Sequence, residues 1–259
     1  MSKEIYLGTE IPENIDKIKE ELEMEQKKEL FDRLEKIKKN FQQEWKHVPE
    51  SARQREKEEI AIAFTYNTNA IEGSTITLEE AREIIHDKIS PRKPMKDVRE
   101  TETHARVFLA ALNDKNVIDT PVLLKWHREI FGETKPDIAG KFRNYLVRVG
   151  AYVAPDWQDV EGLMKEFSLF LRKGGFNPAE CAARAHYRFE KIHPFGDGNG
   201  RIGRLIMNHI LWHNGYPMII IEYKKRRAYY RALEKDEERF VKYFLRRYLT
   251  VHKRRLSQR

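Results

Sequence analysis

The residues best suited to chemistry form a single run, His193-Pro194-Phe195-Gly196-Asp197-Gly198-Asn199-Gly200-Arg201, followed by Ile202-Gly203-Arg204. Three glycines in five positions are unfavourable inside a helix, yet helices are predicted on both sides of the run. The run therefore predicts a tight loop that leads into a helix N-terminus. The N–H groups of such a loop converge on one place, where the helix dipole favours an anion and most naturally phosphate oxygens.

The side chains of this run extend the same interpretation. Arg201 and Arg204 lie one helical turn apart and could grip a phosphate. A carboxylate such as Asp197 repels a phosphate unless a cation lies between them. Mg²⁺ is usually held in this way, by one carboxylate, phosphate oxygens and waters. His193 can take a proton near neutral pH. Together these groups predict phosphoryl or nucleotidyl transfer. The alternative is a helix-capping loop in which His193 and Asp197 only bond to the backbone.

The elements around the run are predicted to be almost entirely helical. Apolar residues recur at helical spacing on one long amphipathic helix, and start and stop signals follow along the chain. The stripe consists of Leu30, Leu34, Ile37, Phe41 and Trp45. The signals are a capping box at Thr77-Leu78-Glu79-Glu80, an N-cap and first-turn proline at Thr120-Pro121, a stop at Gly132, and a start at Asn177-Pro178.

One segment, Tyr145–Val153, departs from the helical pattern. It is β-branched and aromatic with a central glycine, which predicts a short hairpin. A two-stranded hairpin is marginal alone and must rest on the helices. The prolines Pro91 and Pro94 mark a predicted joint between an N-terminal helical region and the rest.

Composition and charge limit the class of protein. The 259 residues carry 49 Lys and Arg against 41 Asp and Glu, a net charge of +8, and a single cysteine, Cys181. The basic clusters at 224–227 and 246–259 are interpreted as solvated helix faces and a frayed end, although a nucleic-acid-binding regulator stays an alternative. No apolar run is long enough for a membrane span, residues 1–5 do not resemble a signal peptide, and a lone cysteine favours a reducing cytoplasm.

The run from His193 to Arg204 matches every fixed position of the signature H-x-F-x-[DE]-G-N-G-R-x-x-R, and over about residues 60–250 the chain resembles Fic (Fido) domain proteins. The resemblance implies an all-α, mainly helical Fic fold with a small β-hairpin flap over the active site. The implied organisation is an N-terminal helical region at 1–95, a Fic core at 96–250 and a basic tail at 251–259.

The resemblance also implies an activity, protein adenylyltransferase, with ATP as substrate and Mg²⁺ or its substitute Mn²⁺ as cofactor. It implies an enzyme that acts on a Tyr, Ser or Thr hydroxyl of an unidentified target protein docked near 147–153, or on itself. The cytoplasmic location is expected from the lone cysteine, a homodimer is a possible assembly, and nucleic acid and membrane are not expected partners. The roles carried over are His193 as general base, Asp197 as metal ligand, Gly198-Asn199-Gly200 as anion hole, Arg201 and Arg204 on the outer phosphates, and Val149, Gly150, Ala151, Tyr152 and Tyr229 near the nucleotide. At Glu237 the sequence departs from an animal relative, which has at this position an asparagine that contacts the nucleotide.

A second motif, Thr68-Asn69-Ala70-Ile71-Glu72-Gly73, resembles the inhibitory pattern [ST]-x-x-x-E-[GN] of Fic proteins. Its glutamate would pair with Arg204 and occupy the space of the γ-phosphate. We therefore expect the protein to be autoinhibited through Glu72. Thr68 and Gly73 occupy the other two fixed positions of the inhibitory pattern. Removal of AMP remains an alternative, because the same glutamate could position a water. Transfer from another nucleotide or phosphate donor remains a second alternative, as in some Fic relatives.

Overall fold

The computed structural model describes residues 14–257, and in that part of the chain helices dominate. The helices are α1 (Ile15–His47), α2 (Glu50–Ile71), α3 (Leu78–Arg82), α4 (Met95–Asn113), α5 (Thr120–Phe131), α6 (Val160–Lys173), α7 (Pro178–Ile192), α8 (Asn199–His213), α9 (Arg226–Leu233), α10 (Glu237–Val251) and α11 (Lys253–Ser257). A π-helical turn follows α3 at Glu83–Asp87, and 3₁₀ turns precede α6 and α9 at Trp157–Asp159 and Tyr223–Lys225. The predicted mainly helical fold is confirmed.

The antiparallel pair α7 and α8 forms the centre of the fold. The two helices pack together more extensively than any other pair of elements in residues 14–257. Small side chains make this close approach possible, because Ala179, Ala182 and Ala183 on α7 are fully buried. Apolar residues of α4, α5 and α6 cover one side of the pair, and residues of α1, α9 and α10 cover the other. The loop that joins α7 to α8 is thus held from both sides.

The helix α2 carries the predicted inhibitory motif in its last turns. Its middle is apolar, with Ala61 and Phe64 in the main core. Its end is polar although buried, and Thr65 and Asn69 each bond to a side chain of α4, at 2.9 Å to His104 and at 3.3 Å to Thr101. Buried polar groups need such partners. The end of α2 is therefore fixed against α4 and α8.

Most local signals appear where the sequence predicts them. Thr77 caps α3 in a complete capping box with Glu80, Asn177 caps α7, and α5 ends at Gly132. The expected cap at Thr120 is wrong, because Asp119 accepts the hydrogen bond from the Val122 N–H and the proline occupies the second helical position.

The predicted hairpin is present and short. Strands β1 (Arg148–Val149) and β2 (Tyr152–Val153) pair antiparallel, with Arg148 opposite Val153. A further hydrogen bond, from the Ala154 N–H to the Val147 carbonyl at 3.1 Å, extends the pairing by one step. As expected for so small a sheet, the hairpin depends on helical neighbours, which are described with the site.

The C-terminal basic segment differs from the expectation of a frayed end. Residues 253–257 form α11, which packs on α1, and Arg255 pairs with Glu44 at 2.8 Å while its guanidinium lies over the Phe41 ring. The expectation is therefore wrong for this part, since α1 supplies both an acidic and an aromatic partner. Residues 258–259 and the segment considered for a signal peptide lie outside the described residues. None of the helices in residues 14–257 combines the length and the apolar character of a membrane span.

Candidate active site

The loop of residues 193–198 is closed by one asparagine side chain. Asn199 accepts a hydrogen bond from the Phe195 N–H at 2.9 Å and donates one to the Phe195 carbonyl at 2.8 Å. Gly198 caps α8 with a φ of +82°, a left-handed value that glycine adopts without strain. A Cβ atom on Gly198 would also overlap the ring of Phe131. The side chain of Asn199 therefore shapes the loop through both of its polar atoms.

The first turn of α8 offers free backbone donors. The first bond of the helical ladder runs from the Ile202 N–H to the Gly198 carbonyl at 3.1 Å. The N–H groups of Asn199, Gly200 and Arg201 precede that ladder and have no partner within the helix. Together with the positive end of the helix dipole they make an environment that favours phosphate oxygens. Phosphate binding by this turn stays a prediction.

His193 has the geometry of a base. It ends α7 in the left-handed region, with a φ of +49°. Its Nδ1 lies 3.3 Å from the Glu190 carbonyl. An Nδ1–H that donates to this carbonyl leaves the lone pair on Nε2. Burial lowers the pKa of His193 more than the Glu190 carbonyl raises it, so the ring is neutral near pH 7. His193 can therefore accept a proton at Nε2.

Arg204 is held by the end of α2. Its Nη2 donates to Glu72 Oε1 at 2.6 Å and to the Thr68 carbonyl at 3.1 Å, and its Nε donates to the Thr68 hydroxyl. Arg204 is only 1% exposed. Burial alone would lower its pKa, but the charge of Glu72 raises the pKa above the ordinary value. The predicted pairing of Glu72 with Arg204 is thus present, and Thr68 has a role that its motif position alone does not explain.

Glu72 also packs against the predicted anion site. It is the C-cap residue of α2 and precedes Gly73, whose φ is +92°. A Cβ atom on Gly200 would overlap Glu72 Oε1, so the carboxylate lies directly against the first turn of α8. The cavity lined by Glu72, Asp197 and Arg201 has a volume of only about 100 Å³. Ligand pockets usually measure roughly 300–1,000 Å³, so little room is left beside Glu72.

Asp197, the predicted metal ligand, belongs to a cluster of four charged side chains. Its Oδ2 lies 2.8 Å from Lys135 Nζ, and its Oδ1 lies 3.5 Å from Arg201 Nη2. Glu100 on α4 is buried and pairs with both cations, at 2.9 Å with Lys135 and also with Arg201. Burial would raise the pKa of Asp197, but the hydrogen bond from Lys135 and the charge of Arg201 hold it below its ordinary value. Sequence reasoning missed Glu100 and Lys135, because no local pattern connects them with the loop.

Tyr229 and its neighbour Tyr230 face different surroundings. Tyr229 is 1% exposed, and its hydroxyl lies 2.7 Å from His186 Nε2 and accepts from Arg204 Nη1 at 3.4 Å. Tyr230 is 40% exposed and donates to the Ile71 carbonyl at 3.2 Å. The expectation that Tyr229 contacts the nucleotide does not fit this arrangement, since its ring is enclosed. Tyr229 supports Arg204, and Tyr230 offers the accessible ring of α9.

Glu237, the departure noted in the sequence, is engaged in an ion-pair network. It lies 3.0 Å from Arg184 Nη1 and 3.0 Å from Arg188 Nε, and Arg184 also pairs with Glu180 and Glu238. An acid in this place stabilises the contact between α7 and α10, and its oxygens already have partners.

The hairpin lies against the end of α7 and the start of the loop of residues 193–198. The Tyr152 hydroxyl donates to the Lys191 carbonyl at 2.6 Å, and the Lys191 ammonium lies 4.4 Å from the centre of the Tyr152 ring. Arg143 joins the two parts, since its Nε donates to the His193 carbonyl at 2.8 Å and its Nη2 to the Pro155 carbonyl at 2.7 Å. The segment Val149–Tyr152 is therefore next to His193, whereas direct contact of this segment with a nucleotide stays a prediction.

A buried carboxyl lies beneath α8. Oε1 of Glu190 on α7 has no hydrogen-bond partner. Nδ1 of His186, one turn earlier on the same helix, has none either. Both atoms approach Gly203, where a Cβ atom would lie 2.9 Å and 2.8 Å from them. Burial raises the pKa of Glu190 to about 7, and the charge of Arg204 opposes this shift. Glu190 is therefore partly neutral at physiological pH.

We expect the substitution Glu190→Gln to stabilise the protein at pH 8 and to have little effect near pH 4.5. The pKa of this carboxyl is raised from 4.5 to about 7 on folding, so the folded state binds more protons and loses stability as the pH rises through this interval. The full shift corresponds to roughly 3 kcal/mol. Urea unfolding at the two pH values measures it, with exposed Glu79→Gln as control. An equal gain at both pH values would contradict the raised pKa.

Comparison with known proteins identifies relatives of this chain. The Fic/DOC family model matches residues 117–211. The chain is 34% identical over 212 residues to the protein adenylyltransferase Fic of Drosophila ananassae and 33% identical to that of Drosophila mojavensis. The first match covers 77% of this chain and 42% of the relative, so the chain spans less than half the length of these curated relatives.

Solved structures show the same fold. Fic-1 (residues 134–508) from C. elegans superposes with a TM-score of 0.74 at 26% identity, covering 93% of this chain and 74% of that one. A Fic domain containing signaling protein from Bacteroides thetaiotaomicron gives a TM-score of 0.70 at 24% identity, covering 88% and 97%, and at this identity it shows the fold alone.

Proposed function

We propose that this chain, of which residues 117–211 match the Fic/DOC family model, is an autoinhibited protein adenylyltransferase, which transfers AMP from ATP to a hydroxyl of a target protein and releases pyrophosphate. The observation that carries the proposal is the position of His193, which ends α7 directly before the loop that leads to the free N–H groups of α8 and turns its Nδ1 to the Glu190 carbonyl. A base next to an anion site is what a hydroxyl attack on a phosphate requires.

The phosphates of ATP would bind at the first turn of α8. The N–H groups of Gly200 and its neighbours would bond to phosphate oxygens, and Arg201 and Arg204 would neutralise the outer phosphates. Both arginines are now paired with carboxylates, Arg201 with Glu100 and Arg204 with Glu72. ATP therefore competes with internal acids for its cationic partners.

Asp197 fits a divalent cation. Its side chain is 47% exposed and lies at the cavity beside the α8 N-terminus. A single carboxylate that shares the ion with phosphate oxygens and waters is the usual environment of Mg²⁺, and Mn²⁺ accepts the same ligands. When bound, the ion would reduce the negative charge of the phosphates. Among residues 14–257 no cluster of three or more His, Cys, Asp or Glu could hold a metal by itself, which suits an ion that arrives with the nucleotide.

His193 would act on the target hydroxyl. The hydroxyl gives its proton to His193 Nε2, and its oxygen forms a bond to the α-phosphorus. The bond between that phosphorus and the oxygen leading to the β-phosphorus breaks, and pyrophosphate leaves. AMP stays on the target as a phosphodiester, so protons and leaving group balance. His193 needs only to be neutral and correctly oriented, and the Glu190 carbonyl provides the orientation.

The hairpin would receive the target. Val149 and Val153 are 45% and 44% exposed, and the pair β1 and β2 has open edges beside His193. An extended target segment could add a strand there and bring its hydroxyl to the base. Four parts of the proposal rest on no contact in the structure. The target, the modified residue and a homodimer rest on the family, and the cytoplasmic location rests on the lone Cys181.

Glu72 would keep the isolated protein inactive. Its carboxylate holds Arg204 and packs against Gly200, where phosphate oxygens would bind. The same position favours a second candidate function, removal of AMP from a modified target, since a carboxylate beside the anion site could activate a water. The two functions use the same groups in opposite directions.

The test is the position of a label on ATP. Protein carrying Glu72→Gly is incubated with Mg²⁺ and ATP labelled on either the α- or the γ-phosphate, together with a cell extract. Label is counted only in excess of the same extract without the added protein, because kinases of the extract transfer γ-phosphate themselves. Label on protein only from the α-position supports transfer of AMP. Label only from the γ-position would show a kinase and overturn the proposal. If neither label is transferred, loss of AMP from a pre-modified extract tests the second candidate.

A further inference from the structure

Lys135 occupies a defined position between two carboxylates. Its ammonium is 2.8 Å from Asp197 Oδ2 and 2.9 Å from Glu100 Oε1, and it lies 4.7 Å from the centre of the Phe131 ring. Its side chain is only 13% exposed. The ammonium thus has two anions and an aromatic face around it, which is a site built for a cation.

The backbone holds Lys135 in this place. Its N–H donates to the Phe131 carbonyl at 2.8 Å, and its own carbonyl accepts from the Ile138 N–H at 3.2 Å and the Ala139 N–H at 3.0 Å. Glu100 is fixed as well, since Oε1 also accepts from the Thr134 hydroxyl at 2.9 Å and Oε2 pairs with Arg201. The Lys135 backbone and Glu100 are therefore each held by several partners, and the end of the lysine side chain is the part with freedom to shift.

All four members of this cluster line the cavity, and Asp197 is the most exposed of them. It is 47% exposed, whereas Glu100 is 7% exposed at its side chain. A divalent ion that binds Asp197 would enter through the cavity. The Lys135 ammonium would already be bound to Oδ2 of this carboxylate. A divalent ion at this oxygen and the ammonium at hydrogen-bond distance from it would repel each other strongly.

We propose that Lys135 is the resident cation of the divalent-metal site, so that its ammonium neutralises Asp197 in the free protein and must withdraw toward Glu100 before a metal ion binds. This inference rests on the proposed function. The withdrawal leaves no buried charge unpaired, because Glu100 keeps hold of the ammonium. Lys135 is thus a positioning residue that sets the affinity of the site for metal.

The experiment measures binding, without transfer. The affinity for α,β-methylene ATP is determined by calorimetry with saturating Mg²⁺ and with EDTA, in protein carrying Glu72→Gly. The ratio of the two affinities reports how much the metal contributes. Adding Lys135→Met, which keeps the apolar stem over Phe131 and removes the charge, should raise this ratio about tenfold, the size expected for a partly exposed charge contact.

Two further variants make the result specific. Lys135→Arg keeps a cation in place and should leave the ratio near its original value. Lys141→Met removes a lysine of the same turn that reaches only the Asp137 carbonyl, and should change nothing. If Lys135→Met fails to fold, Lys135→Gln replaces it.

An unchanged or smaller ratio in the neutral variants would overturn the inference. Weaker binding in both conditions with the same ratio would overturn it too, because Lys135 would then be a phosphate ligand. Transfer of α-label by Glu72→Gly is measured separately, so the inference on Lys135 can fail while the proposed function stands.

Discussion

Replacing Glu72 by glycine is expected to increase AMP transfer by roughly ten- to a hundredfold. Glu72 makes a charged hydrogen bond of 2.6 Å to the buried Arg204 and packs against Gly200. A bond of this kind contributes about 1.5–3 kcal/mol, and each 1.4 kcal/mol shifts an equilibrium about tenfold. Its removal frees Arg204 for phosphate and opens the first turn of α8. The initial rate of protein labelling from α-labelled ATP measures the effect.

A matched control separates this effect from a change at any helix end. Glu234 is the exposed C-cap residue of α9, as Glu72 is the C-cap of α2. Glu234→Gly should leave labelling at the level of the unmodified protein. Arg204 has no carboxylate partner in Glu72→Gly, so ATP should raise the unfolding temperature of this variant more than that of the parent. A labelling rate equal to the parent's, with ATP bound, would disprove the inhibitory role of Glu72.

The second large effect is the loss of transfer when His193 is replaced in the Glu72→Gly protein. A general base contributes about 10²- to 10⁴-fold to the rate, and His193, whose pKa is lowered by burial, is the proposed base at the start of the loop. Labelling should fall by this factor in His193→Ala, while ATP affinity stays within about twofold because the imidazole is assigned no phosphate contact.

Folding of the variant needs attention at this position, because His193 has a φ of +49°. Alanine is strained in the left-handed region, whereas asparagine tolerates it. His193→Asn should therefore keep the parent's unfolding temperature and lose transfer equally. His86→Ala, at an exposed histidine of the π-helical turn, serves as the control. Full activity in His193→Asn would show that the base is elsewhere.

The sequence was informative where function depends on neighbouring residues. The loop of residues 193–198, the start of α8 at Asn199 and the hairpin all follow from glycine spacing, caps and β-branched residues within a few positions. The mainly helical fold follows from periodicity, and the pairing of Glu72 with Arg204 from a second short motif. Such signals are local, because backbone preferences act within about one turn.

The sequence was less informative about what surrounds these groups. The helix cap expected at Thr120 is Asp119 in the structure, one residue earlier. Both side chains can cap a helix, and the geometry of the turn decides which of them does so. The frayed end became α11 because α1 offered Glu44 and Phe41 at the right place. Tyr229 and Tyr230 are adjacent in sequence, and only packing of α9 decided which ring is enclosed.

The sequence alone thus determined the identity and order of the candidate groups: the proposed base, the proposed metal carboxylate, the predicted anion loop and the predicted inhibitory glutamate. Only the tertiary structure decided their charges and partners, through Glu100 from α4, Lys135 from the turn after α5 and Glu190 beneath α8. The physical reason is that ion pairs and burial depend on distances between segments remote in the chain, and the pKa and affinity of each group follow from those distances.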